Sequence, residues 1–218
     1  MGDPATQPIT LRLPSKYASS SSSTPSTFTP PPIEWLHRTW SVTHSTLEMW
    51  RSARNVRITY APLPAKTSSS FSSTPPLARI DDLVEYEKSS GKGGVKSVAG
   101  VDTAAGAPDT GAWDWRGKGW LFFVGSHWEV LGWGERPLAD GSGGGGGGGV
   151  ERWVVTWFAP TLFTKEGVDV YSDRREGGSE ALVGEILDAL KKSEAKELAH
   201  MCERDMQPVE IKLPWEEG

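Results

Sequence analysis

The 218-residue chain carries one cysteine, Cys202, so it cannot close an internal disulfide. Its Cys and His residues show no zinc-ligand spacing, and no metal site is predicted. No apolar run approaches the roughly 20 residues that a membrane-spanning helix needs. The first residues, MGDPATQPITLRLPSKY, lack the apolar centre of a secretory signal. Lys and Arg number 23 against 28 Asp and Glu, a net charge of −5 with the signs mixed along the chain. That leaves no basic stripe, the electrostatic footprint of a nucleic-acid binder. The expectation is a cytoplasmic protein with no nucleic-acid partner and no stable membrane insertion. The oligomeric state is left open.

Apolar residues are also scarce, at 37%. The shortage is local. Ser, Thr and Pro dominate residues 1–32, which read as a disordered tail. Similar tracts lie near 62–76, 89–97 and 139–149, the last containing GSGGGGGGG. They follow no repeat period and read as loop insertions in a single domain over 33–215, since added loop length is cheap. What remains, about 140 to 160 residues, suffices for one core.

What is abundant is tryptophan, with 11 in the chain and seven between Trp113 and Trp157. Large rigid surfaces therefore meet, in a core or around a ligand. The segments between the tracts are short, β-branched and aromatic. Thr39–Ser45 alternates with Trp40, Val42 and His44 on one face, and Val56, Ile58 and Tyr60 do likewise. Asp82–Glu87, Val95–Asp102, Trp113–Val124, His127–Trp133, Arg152–Phe158 and Val168–Ser172 complete a succession of strands. This pattern predicts a mainly β, antiparallel barrel or sandwich. After it the period changes. Ser179 can cap a helix whose Leu182, Val183, Ile186 and Leu190 share a face, and Ser193 can cap a second. Val209, Ile211 and Leu213 alternate as a possible last strand.

Several motifs fail on inspection. SGKGGVKS lacks the glycine before Lys96-Ser97 and the helix that a phosphate loop requires. VGSHW lacks the first glycine of a nucleophile elbow. His127-Trp128-Glu129 matches half a zinc deaminase signature, without its Cys-x-x-Cys half.

The stretch GWLFFVGSHWEVLGWG holds the best candidate. With Gly125-Ser126 as a hairpin turn, or as a bulge in one long strand, His127, Glu129, Leu131 and Trp133 fall on a common face. If that face lines a barrel interior, the two ionisable groups among aromatics make the polar part of a small-molecule site. Burial there would raise the Glu129 pKa, and His127 would oppose the rise. His44 shares the face of Trp40 and Val42 and would also point inward.

The arrangement resembles the lipocalin, or wider calycin, family. Leu36-His37-Arg38-Thr39-Trp40, after the short helical turn Ile33–Leu36, is similar to the family's opening Gly-x-Trp strand, with Arg38 at the glycine. Glu151–Thr156 resembles a late barrel strand. Val168–Arg174, followed by the helix from Ser179, resembles the last strand, its closing arginine and the packed C-terminal helix. The low-complexity insertions resemble those of filamentous-fungal proteins. The resemblance implies a calycin-like β-barrel with a C-terminal α-helix packed outside, and Arg174 lying across Trp40 at the closed end. It also implies a lid over the mouth carrying Met49 and Trp50.

The resulting expectation is a small, largely apolar ligand in the barrel, contacted by His44, Trp50, Tyr60, His127, Glu129, Trp133 and Tyr171. The alternative is an isomerase, hydratase or cyclase on a hydrophobic metabolite, with His127 and Glu129 moving protons. A further alternative is a haem barrel with His44 or His127 as axial ligand. No other cofactor is expected.

Overall fold

The computed structural model describes residues 8–18, 28–66, 77–106, 110–138, 149–162 and 164–216. Eight antiparallel strands follow one another around a ring: β1 (Thr39–Ser45), β2 (Ala53–Lys66), β3 (Leu77–Lys88), β4 (Lys96–Ala104), β5 (Ala112–Gly117), β6 (Gly125–Pro137), β7 (Val150–Phe158) and β8 (Gly167–Ser172). Each pairs with its neighbour in sequence, and β1 pairs with both β2 and β8, closing the barrel. The β1–β2 contact is short, Thr39–Ser41 against Arg57–Thr59, but it joins the two ends of the sheet, and closure is what blunts the exposed edges that promote aggregation. A two-residue strand, β9 (Gln207–Pro208), adds to β1. The alternation expected over 209–213 yields only a bridge between Glu210 and Arg54.

Period-two alternation sorts the wall residues into two cores. Trp40, Val42, Val56, Ile58, Tyr60, Ile80, Trp113, Trp128, Val154 and Tyr171 pack inside the barrel. Leu131, Trp153, Val155, Trp157, Val168 and Val170 point outward and are covered by α2 (Glu180–Lys191) and α3 (Lys196–Asp205). Both faces of β6–β8 are thus buried, which explains why these strands read as nearly continuous apolar runs. Ser179 caps α2 by accepting from the Leu182 amide at 3.3 Å. The buried Glu151 carboxylate in turn accepts from the Ser179 amide (2.8 Å) and hydroxyl (2.6 Å). That cap ties the helix start to the barrel wall. Ala195, rather than Ser193, stands at the N-cap of α3.

Residues 8–18 belong by composition to the Ser/Pro-rich tail, but they lie against the outer wall. The Arg12 amide donates to the Leu131 carbonyl at 2.8 Å, and Ile9, Leu11, Leu13 and Tyr17 pack on the outer core. Leucines spaced two apart supply enough apolar area to hold this segment. Residues 1–7 and 19–27 of the predicted tail, and 67–76 and 139–148 of the predicted insertions, lie outside the described residues.

The expected strand Trp113–Val124 is shorter than its apolar pattern. It ends at Gly117, and residues 118–124 form a connection with a single 3-10 turn, Gly119–Leu121. Gly125-Ser126 is no turn; it starts β6. No helix among the described residues is long and apolar enough to cross a membrane.

Candidate functional site

The barrel is closed at one end by side chains from α1 (Ile33–Leu36) and β1. Leu36 and Trp40 are fully buried, and the Trp40 indole donates to the Leu36 carbonyl at 3.0 Å. Trp35 packs against Trp40 and, edge-on, against Trp133, with centroids 5.2 and 4.7 Å apart. Arg174, the arginine that the resemblance sets across Trp40, does not do so. Its guanidinium pairs with Glu176, and only its carbonyl reaches β1, accepting from Ser41 at 2.8 Å. Arg38 takes that place, with its guanidinium 5.4 Å from the Trp40 ring centre and 3.6 Å from Asp173. The departure at Gly-x-Trp therefore supplies the closing cation itself.

The other end is open. Its rim is made by the β1–β2 connection, which holds the 3-10 turn Glu48–Ser52, and by the β5–β6 and β7–β8 connections. From it a cavity of about 520 Å³ runs into the barrel. Its walls carry Ile58 and Tyr60 from β2, Asp82 and Val84 from β3, and Trp115 from β5. Trp128, Phe158, Asp169 and Tyr171 complete them from β6, β7 and β8. Trp50 and Met49 lie at the rim with Trp120, Leu121, Phe123 and Val124. Trp120, Phe122 and Phe123 are 78%, 69% and 59% exposed, an unusual outlay of aromatic surface.

The ionisable carboxyls of the lining are Asp82 and Asp169, beside the hydroxyls of Tyr60, Ser126, Thr161, Thr164 and Tyr171. Asp82, Asp102 and Asp169 lie on the inner face in phase with apolar neighbours such as Ile80, Val84, Ala104 and Tyr171. Asp102 accepts from the Trp128 indole at 2.8 Å. That bond fixes a ring stacked between Tyr60 (5.7 Å, 7° between planes) and Trp113 (5.9 Å, 21°). Gly100, beside Asp82 in the register, gives the Trp115 indole its room; a Cβ there would stand 2.0 Å from the indole nitrogen. Asp169 accepts from the Ser45 hydroxyl. Burial pushes all three carboxyls up, and Asp102 adds to the rise of Asp82. Asp169 reaches about 7 despite the pull of Ser45, Trp50 and Arg51. One oxygen of Asp82 and one of Asp102 find no hydrogen-bond partner among the described residues.

Of the residues expected at the ligand, Trp50, Tyr60 and Tyr171 line this cavity. His44, His127, Glu129 and Trp133 do not. His44 is displaced by a β-bulge. Val42 pairs with the inward Tyr171, but His44 pairs with the outward Val170, leaving Thr43 as an extra residue. A bulge adds one residue and reverses the face of all that follows. A second bulge, between Val130 and Gly132, splits the face expected for β6. His127, Glu129 and Leu131 point outward, while Trp133 turns into the closed end. Neither histidine considered as a haem ligand borders the cavity.

The outward Glu129 is an anchor for the N-terminal segment. It is fully buried, 2.8 Å from the Arg12 guanidinium and 3.6 Å from His127 Nε2, and it accepts from the Ser15 amide and hydroxyl. Burial alone would raise its pKa, as expected. The hydrogen bonds from His127 and Ser15 and the charge of Arg12 outweigh it and hold Glu129 at about 2. His127, raised chiefly by Glu129, also reaches Asp114 at 2.8 Å through Nδ1. No group of three or more His, Cys, Asp or Glu side chains suited to a metal occurs among the described residues.

The inner acids are not among the residues expected at the ligand. The signal for them was a carboxylate in phase with the apolar residues of a strand, as in Ile80-x-Asp82-x-Val84 and Asp169-x-Tyr171.

The strand order, the register closing β8 on β1, the short N-terminal helix and the outer C-terminal helices together define a lipocalin-like, or calycin-like, barrel. No protein-family model and no curated protein matches the chain. Among solved structures it is similar to lobster apocrustacyanin A1, at 10% identity and a TM-score of 0.47, over 81% of this chain and 78% of that one. It is similar to apocrustacyanin C1 at 10% identity and a TM-score of 0.49, over 83% and 79%.

Proposed function

We propose that the barrel binds a small, largely apolar molecule in its interior cavity. The lining carries this reading: aromatic and aliphatic side chains surround about 520 Å³, with a few convergent polar groups. That is the usual composition and size of a small-molecule site. Two surface grooves of similar volume, about 530 Å³ each, are bordered by charged residues such as Arg12, Glu185 and Asp188, or Arg51, Lys165 and Arg204. They offer much less apolar contact. The enzyme reading built on His127 and Glu129 loses its support, because that pair stands on the opposite side of the wall.

The test is titration of the full chain with 4-phenylbutan-1-ol, a neutral aryl-alkyl probe, followed by tryptophan emission and native mass spectrometry. The expected result is saturable one-to-one binding with a change in emission. Replacing Trp120 and Phe123 by Ser should weaken it without lowering thermal stability. Absence of saturable binding to the folded wild-type chain refutes the proposal.

A further inference from the structure

The cavity combines carboxyls with aromatic rings, and its described lining residues include no cation. Asp82 and Asp169 are among its lining residues, and no Lys, Arg or His is. The nearest cations stand outside the lining, although the charge of Arg51 acts on Asp169 and that of Lys118 on Asp82. Lys118 pairs with Asp81 on the outer face of β3, and Arg51 gives one guanidinium nitrogen to the Ser45 and Asp205 carbonyls. Buried carboxylates are normally paired or multiply hydrogen-bonded, because an isolated buried charge is costly. Here one oxygen of Asp82, 6% exposed, lacks any partner among the described residues. It belongs to a residue that borders the cavity. Orphaned polar atoms on a cavity wall mark where a ligand's own polar group belongs.

We infer that the ligand of this cavity is an apolar amine, bound as its ammonium ion, with Asp82 and Asp169 as counter-charges and the rings of Trp50, Trp115 and Trp128 around it. This rests on the binding function proposed above and specifies the class of molecule. An ammonium group donates hydrogen bonds only, which suits carboxylate oxygens, and it is attracted to aromatic faces. Trp128 is held by Asp102, so its position is set before the ligand arrives. The raised pKa values of Asp82 and Asp169 agree with this: burial favours their neutral form, and an ammonium beside them would favour the charged one. A carboxylate ligand would meet only like charge and is selected against.

One head-group series tests the inference and separates it from the binding function itself. The full chain is titrated at pH 7.5 with 4-phenylbutylamine, 4-phenylbutan-1-ol and 4-phenylbutanoate, which share one apolar body. The expected order is ammonium tightest by at least tenfold over the alcohol, with the carboxylate weakest. In the Asp82→Asn, Asp169→Asn variant the ammonium preference should fall to within about threefold while alcohol binding persists, which also reports an intact cavity. Should that variant not fold, Asp82→Asn alone is used with the same expectation. Alcohol or carboxylate binding as tight as the amine in the wild type overturns the inference and leaves the binding function standing. Retention of the full amine preference by the variant overturns it too. If no member binds, both fall.

Discussion

Asp169 and Glu129 are buried carboxyls with opposite electrostatics, and the two sides of one barrel wall account for the difference. Asp169 faces the cavity, where burial dominates and its pKa rises to about 7. A raised carboxyl pKa favours the native state most below the ordinary carboxylate value, and that contribution is lost as pH rises through about 7. The groups around Asp169 that set this balance are Ser45, Trp50, Arg51 and Tyr171. Asp169→Asn keeps the shape and removes the titration. The variant should match the wild type near pH 3 and exceed it by a few kcal/mol at pH 8 in urea denaturation; a gap that does not widen with pH would contradict the assignment. Glu129 is held at about 2, so its contribution is present above about 4.5 and is lost only as pH falls towards 2. Removing it takes the counter-charge from one Arg12 guanidinium nitrogen and the acceptor from the Ser15 amide, while Arg12 Nε keeps the Val130 carbonyl and His127 keeps Asp114. Glu129→Ala should cost about 3–5 kcal/mol, the usual penalty for breaking a buried ion pair. Hydrogen exchange would show residues 8–18 losing protection before any strand does.

At the scale of elements, alternation identified most of the strands but not which way each side chain points. The strands over 39–45, 56–60, 152–158 and 168–172 were legible because β-branched and aromatic residues recur there at period two. Their facing was not, since a single bulge at Thr43 or Leu131 inverts the side chains beyond it and leaves no mark in composition. The β5–β6 connection misled for another reason. Trp120, Phe122 and Phe123 have strand propensity, yet they sit on an exposed rim where tertiary context decides their conformation. Among the three connections forming that rim, only the β1–β2 lid with Met49 and Trp50 came from the resemblance. The cavity wall depends on a second local feature that sequence shows only as a glycine. Gly100→Ala would drive the Trp115 indole from its place above β4. The expected loss is about 1–3 kcal/mol, as for other overpacked cores, together with weaker probe binding. Normal stability and normal affinity in that variant would mean that the indole moves freely.

At the scale of the molecule, the two cores share one set of strands. Trp157, Val168 and Val170 support α2 and α3 from outside, while Phe158, Asp169 and Tyr171, their neighbours in sequence, line the cavity within. A ligand that orders the inner side of β7 and β8 therefore acts on the support of both helices. Binding at 100 times Kd should add about 2.7 kcal/mol to unfolding if the chain unfolds as one unit. In that case amide exchange in α2 slows along with that in β7 and β8, although no helix residue touches the cavity. If the strands gain protection while Ile186 and Leu190 exchange as before, the helices open independently of the barrel. Hydrogen exchange with and without 4-phenylbutylamine distinguishes the two. Cooperative slowing is expected, because the Ser179 cap on Glu151 and the outer aromatic core tie α2 to the wall, with α3 and residues 8–18 packed in the same cluster.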